Sequence, residues 1–325
     1  MKRRQFLSAV LGSSARNRGI AYLSKRQNPD GSWTSNTYGL LRSGLSLTPF
    51  VLNALLDAGV LKTDARLTKA LAFLLPRITE AEGDYPCYAN ALALRAVVRM
   101  NDRNHAVVPK LIDWLRTQQM SPENGWAEPD PAFGAWGIGG QPRRAPHSGH
   151  VDLSMTRHVL EALAEAGLRP TDEAMRNAQV FVRRCRNPHG GFFFSTVETG
   201  ANKAGEDSTG YLAYGTTTAD GLICLLATGA PDTAPSLAWL RKHDHPALPP
   251  GFVTAARQRY AEGLRYYYAD AAVRAFRAAG LRRSVPFAAV LEKAQRPDGS
   301  WANPEVLVKE DDPLIATAFA ISALS

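Results

Sequence analysis

The chain has 325 residues, of which 45% are hydrophobic and 21% charged, a balance that can fill a large folded core and excludes disorder as the main state. Its longest stretch free of Asp, Glu, Lys and Arg, Ser43 to Leu56, is shorter than the roughly 20 residues a membrane-spanning helix needs. The formal charge of +8 modestly favours an anionic surface such as a membrane; with no long basic block and no zinc-finger, RNP or helix-turn-helix signature, it leaves no nucleic-acid footprint.

At the amino terminus, Arg3-Arg4-Gln5-Phe6-Leu7 fits the core of a twin-arginine export signal, and Ser13-Ser14-Ala15 could precede a cleavage point. The apolar part between them is short and ends at Arg16. Residues 1–16 are therefore set apart as a basic leader, signal or remnant, and 17–325 as one folded unit. The compartment stays open between cytoplasm and export.

The first helix is expected over 18–27, running into Gln27-Asn28-Pro29-Asp30-Gly31-Ser32-Trp33. That string returns as Gln295-Arg296-Pro297-Asp298-Gly299-Ser300-Trp301, with degenerate copies at Gln119 to Trp126 and Arg186 to Phe192. The intervals fit a unit of about 50 residues, hence six units, with an insertion near 130–149. Single apolar stripes such as Val108, Leu111, Ile112 and Leu115 mark outer helices, expected over 18–27, 64–77, 107–119, 173–186, 234–243 and 284–295. Segments apolar on more than one side mark inner helices, expected over 47–58, 86–100, 153–166, 211–228, 264–279 and 313–324. The fold class is all-α. Inner-to-outer connections are short and outer-to-inner ones mostly long, so the long loops share one face, where a site should be sought.

The repeated string resembles the QW repeats of the squalene-cyclase and protein-prenyltransferase superfamily. Tyr214-Gly215-Thr216 looks like the start of an inner helix in bacterial squalene-hopene cyclases. Gly263-Leu264-Arg265-Tyr266-Tyr267-Tyr268 and Asp311-Asp312-Pro313-Leu314-Ile315-Ala316-Thr317 look most like short, single-toroid bacterial squalene-cyclase-like proteins. The resemblance implies an α/α toroid of six inner and six outer helices, with a central cavity for an isoprenoid or other apolar ligand.

Class II terpene cyclases protonate an alkene with the middle Asp of a DxDD motif followed by Thr, which requires a strong, desolvated acid. The stretch that looks equivalent is Asp152-Leu153-Ser154-Met155-Thr156. Ser154 stands where the donor would be, and a hydroxyl cannot replace it, so the standard chemistry is not expected. Asp152 also begins an inner helix, where Asp is a favoured cap. Prenyltransferase β subunits hold zinc with Asp, Cys and His; Asp220 and Cys224 echo this only partly, at the wrong spacing. Cys87, Cys185 and Cys224 read as buried small hydrophobes. Neither a metal site nor another cofactor is expected.

Asp152, Asp207 and Asp311 remain as candidate catalytic acids on the long-loop face, with Glu206, Glu310 and Asp312 beside them. Trp136, Tyr211, Tyr214, Tyr266 and Tyr267 are candidate ligand-binding aromatics, although consecutive tyrosines on a helix point about 100° apart and cannot all face one cavity. Paired carboxylates on such a ring also suit a glycosidase or polysaccharide lyase. If the acids serve only as caps, a non-catalytic interaction module remains.

Overall fold

The structure, a computed structural model, describes residues 2–78, 85–100, 103–282 and 287–325, with side chains from residue 13 onward. Among these residues thirteen helices follow one another. The outer layer comprises α1 (Lys2–Lys25), α3 (Ala65–Leu74), α5 (Val107–Thr117), α7 (Glu173–Arg184), α9 (Ala234–Lys242) and α12 (Ala288–Ala294). The inner layer comprises α2 (Leu47–Asp57), α4 (Pro86–Met100), α6 (Leu153–Ala166), α8 (Gly215–Ala227), α11 (Arg265–Ala278) and α13 (Pro313–Ala323). Each inner helix packs on the next, α2 on α4, α6, α8, α11 and α13 in turn, and α13 packs back on α2. The ring is closed, and α1 seals its outer layer against α12 and α13.

The expected elements differ from these in three places. Helix α1 already begins at Lys2, well before residue 18. A further helix, α10 (Ala255–Gly263), occupies the loop before α11. The fourth inner helix starts only at Gly215, because Glu206–Asp207 and Gly210–Tyr211 pair as a small antiparallel hairpin. The start of the last outer helix, at 284–286, lies outside the described residues.

Helix starts follow capping chemistry. Asp64, Asp152, Asp172 and Asp312 each accept a backbone N–H in the first turn of α3, α6, α7 and α13, which satisfies donors that have no intrahelical partner.

A repeated set of hydrogen bonds ties the two layers together. Trp33 donates its indole N–H to Leu23 O of α1 at 2.8 Å, and its backbone N–H to Thr48 Oγ1 of α2 at 3.0 Å. Trp301 bonds in the same way to Leu291 of α12 and Thr317 of α13. The equivalent in the second copy is Trp136, bonded to Leu115 O and Thr156 Oγ1. The expected residue, Trp126, instead donates to Arg143 O within the insertion. The extra residues therefore fall inside the motif, between Gln119 and Gly134, and push its Trp eleven positions along the chain.

Glutamines bridge consecutive outer helices. Gln27 donates to Arg66 O of α3, Gln119 to Ala174 O of α7, and Gln295 to Ala15 O of α1, at 2.8, 2.9 and 2.9 Å. The last of these joins the two ends of the chain. A glycine lies flat against the bridged helix each time. A Cβ on Gly31 would stand 2.4 Å from Lys69 O, and one on Gly299 would stand 2.6 Å from Arg18 O. Gly31 also has φ +91°, a region that costs an L-residue about 1–2 kcal/mol.

Gly31→Ala is accordingly expected to destabilise more than Gly59→Ala, which has φ +84° but open space around it. The second should lose only the conformational cost of about 1–2 kcal/mol, and urea unfolding of the two variants measures the difference.

Candidate functional site

Residues facing the ring axis recur at helical spacing and change character with depth. Near the amino-terminal ends of the inner helices the wall carries Phe50, Tyr88, Met155, Thr216, Tyr267, Ile315 and Phe319. One to three turns further, the same faces carry Asp57, Arg95, Arg99, Arg157, Glu161, Glu165, Asp270 and Arg274. The mouth is aromatic and aliphatic, while the base is ionic.

The base is a network of buried pairs. Arg95 lies 2.7 Å from Glu165 and 3.6 Å from Glu161, and Arg157 lies 2.8 Å from Glu161. Arg99 lies 2.8 Å from Asp57; Arg274 lies 2.8 Å from Asp270 and also pairs with Asp57. Burial opposes ionisation of Asp57, but Arg274 and Arg99 outweigh it and hold the carboxyl well below the usual carboxylate range. Burial likewise opposes the charge on Arg157, and Glu161 and Asp220 hold its guanidinium protonated. A void of about 10 Å³ remains among Asn53, Arg95, Arg157, Asp270 and Arg274, room for about one water.

Above this floor lie two lobes of about 260 and about 230 Å³. They share Tyr88, Met155, Val308 and Phe319 in their walls and so adjoin. Together they fall within the roughly 300–1,000 Å³ of small-molecule sites. The larger lobe is also lined by Asp152, Ser154, His158, Phe194, Lys203, Tyr214, Leu264, Tyr267 and Glu310.

Asp152 is both wall and cap: Oδ1 accepts Met155 N–H at 2.7 Å, and Oδ2 lies 2.9 Å from His150 Nε2. That hydrogen bond is the main cause of the raised His150 pKa. Lys203 sits with its ammonium 4.2 Å from the Phe194 ring centroid, and burial lowers its pKa against the pull of Asp152. Glu310 accepts the backbone N–H of Tyr267 at 2.7 Å and of Tyr266 at 3.0 Å, the first turn of α11. Burial pushes Glu310 up to about 8 although those donors pull the other way. His158 is held neutral, first by burial and then by Arg157 and Arg95. Its Nε2 lies 3.3 Å from Arg157 Nη1, which assigns the hydrogen to Nδ1.

Of the expected ligand-binding aromatics, Tyr214 and Tyr267 line the larger lobe. The others lie elsewhere. Trp136 is fully buried between layers. Tyr266 is core, with 3% exposure, on a neighbouring face of α11 from Tyr267. Tyr211 packs on Phe193 in the surface hairpin. Among the expected acids, Asp207 is exposed and closes a turn onto Thr209. Asp311 accepts the Tyr38 hydroxyl, outside both lobes. Asp312 caps α13 through Leu314 N–H.

Asp220, in the sequence only half of a partial zinc-like spacing with Cys224, has a different setting in the structure. It is fully buried, and Oδ2 accepts the Tyr267 hydroxyl at 2.6 Å and the Ser154 hydroxyl at 2.8 Å. Burial raises its pKa to about 6, with Arg157, Tyr267 and Ser154 pulling it down. Among the described residues no group of three His, Cys, Asp or Glu side chains is arranged to hold a metal. The signal in the sequence is Asp220 as the one charge in α8, an otherwise uncharged inner helix.

No protein-family model matches the sequence, and no curated protein matches it. Solved structures do match. The type II terpene cyclase MstE of Scytonema, in its apo form, superposes with TM-score 0.63 at 17% identity, over 97% of each chain. A variant of that cyclase in complex with its substrate geranylgeranyl dihydroxybenzoate gives 0.60 at 15%, over 98% of each. An inactive α-1,6-mannanase variant of Salegentibacter, in complex with α-1,6-mannotriose, gives 0.55 at 13%, over 98% of each.

Two outcomes test the electrostatics. Arg274→Met leaves Asp270 without its partner, and loss of one member of a buried pair should cost about 3–5 kcal/mol in urea unfolding. Asp220 binds a proton more tightly folded, at about 6, than its ordinary 3.8, so its own contribution to stability falls as pH rises from about 4 to about 6. Asp220→Asn lacks that loss, and its stability relative to wild type should climb by up to about 3 kcal/mol between pH 4 and 7. The fold these comparisons show is the all-α ring of inner and outer helices that terpene cyclases share with the mannanase.

Proposed function

We propose that the protein encloses an isoprenoid, or another long apolar ligand, in the mouth half of a squalene-cyclase/prenyltransferase-like toroid, and that it lacks the standard DxDD protonation chemistry. The observation that carries this reading is the paired lobe walled by Tyr88, Met155, Leu264, Val308 and Phe319 above an ionic floor. An apolar chain gains about 25 cal/mol for each Å² it removes from water, and the floor sets how deep it can go. Aromatic faces in the same wall can also stabilise positive charge on a ligand.

Ser154 leaves the larger lobe without the expected donor at that position. Asp152 serves as cap and as partner to His150. The resemblance to the cyclases supports an isoprenoid rather than another apolar chain. The mostly apolar wall weighs against the carbohydrate alternative, which needs an open polar groove.

Entry from a membrane surface belongs to the same proposal. Leu40, Ile138, Val253, Val306 and Leu307 are large, exposed and apolar and lie on outer-to-inner loops, while a sixth such residue, Leu61, lies on the inner-to-outer connection from α2 to α3. Leu41 and Val308, the chain neighbours of Leu40 and Leu307, line the cavity itself.

Mass spectrometry of lipids extracted from the purified protein should find a retained isoprenoid or similar apolar chain. In calorimetric titration, β-farnesene should bind with a negative heat-capacity change, and Met155→Lys, which puts an ammonium between the lobes, should weaken it at least about tenfold. An unaltered affinity in that variant, with the fold intact, would place the ligand elsewhere and sink the reading.

A further inference from the structure

The buried carboxyl of Asp220 plays no part in the apolar reading, and its surroundings are unusual. Both hydroxyls that it accepts, from Tyr267 and Ser154, belong to side chains in the wall of the larger lobe. Its other oxygen, Oδ1, accepts no hydrogen bond, and the nearest cation is Arg157 Nε at 3.8 Å. A buried carboxylate left so poorly solvated is costly.

The charges beneath it point the same way. Arg95, Arg99, Arg157 and Arg274 are matched by Asp57, Glu161, Glu165 and Asp270. Asp220 is a surplus acid, and ionising it puts an uncompensated negative charge into a balanced network. Burial favours its neutral form.

Protonation decides where the two hydroxyls point. An ionised Oδ2 accepts from both, so neither hydrogen is available to the cavity. A neutral carboxyl carries one hydrogen of its own. When Oδ2–H donates to the Tyr267 or Ser154 oxygen, that hydroxyl's hydrogen is released toward the lobe.

We propose that Asp220, Tyr267 and Ser154 form a donor site for an oxygen atom carried by the otherwise apolar ligand, so that the ligand class is an oxygenated isoprenoid such as a ketone or aldehyde. The proposal rests on the apolar cavity reading and adds a polar end to it. Tyr267 or Ser154 touches the ligand oxygen; Asp220 acts through them and is a positioning residue. A hydrogen bond forms and no covalent bond changes. A carbonyl oxygen, which only accepts, distinguishes the two states of the site.

Around Asp220, α6 contributes Ser154, Arg157 and Glu161, α11 contributes Tyr267, and α8 itself contributes Cys224, with Tyr214 just before it. Burial pushes the Tyr267 and Tyr214 phenols and the Cys224 thiol well up. Glu161, although buried, is held down by Arg157 and Arg95. Elsewhere, Glu310 and Lys203 in the wall and His150 behind Asp152 also have shifted pKa values, and Asp220→Asn is the control that separates them.

The test uses geranylacetone, an isoprenoid ketone, beside the hydrocarbon β-farnesene, titrated into the full chain at pH 5 and pH 8. Geranylacetone should bind roughly tenfold more tightly at pH 5, the scale of about one hydrogen bond, and farnesene equally at both. Asp220→Asn should abolish the pH difference for the ketone. Tyr267→Phe combined with Ser154→Ala should do the same, with near-ultraviolet circular dichroism like that of wild type as proof of an intact fold. A ketone affinity that is independent of pH, or a pH difference that survives Asp220→Asn, overturns the donor site. Failure of farnesene to bind wild type overturns the cavity reading instead.

Discussion

Closing six helices into a ring creates an axis that something must fill, and here buried ion pairs fill one end of it. Four arginines and four carboxylates converge from α2, α4, α6 and α11. Desolvating such groups costs several kcal/mol per ion, recovered only when every partner is in place. Arg157 with Glu161 and Arg274 with Asp270 pair within one helix, but Arg95 with Glu161 and Glu165, and Arg99 and Arg274 with Asp57, pair only once α2, α4, α6 and α11 have met. The network's partners also come from distant parts of the chain, Asp57 meeting Arg274 being the clearest case.

The same network determines where a site can exist. Because the base is charged and packed, only the mouth half of the axis has room, and its walls are supplied by the first turns of the inner helices and the loops before them. Acids in those loops are mostly consumed by local duties: Asp312 and Asp152 cap helices, and Glu310 accepts the first N–H groups of α11. Asp220 sits at the boundary between the two halves, too deep for water and surplus to the pairs beneath it. Its hydroxyl partners belong to the apolar half.

Much of the fold was legible because it rests on local rules. Stripe periodicity located the outer helices, continuous apolar segments the inner ones, and the Gln-to-Trp string marked where consecutive outer helices are joined. The second copy was misplaced to Trp126 because an insertion lies inside the motif, and a degenerate string offers no way to tell which Trp makes the two backbone bonds. The site was less legible. Tyr266, Tyr267 and Tyr268 are equivalent on paper, and only the rotation of α11 decides that Tyr267 faces the lobe. Asp220 is legible only as a partial zinc-like echo with Cys224, not as a partner of Ser154, 66 positions away.

By itself the sequence determined the all-α alternation, the caps and the face bearing the long loops, since each follows from spacing within one or two turns. Only the tertiary structure decided which charges neutralise one another, which hydroxyls reach the surplus carboxyl and how far down the axis a ligand can go. Those depend on side chains meeting across a closed ring, and burial makes their pairing energetically decisive.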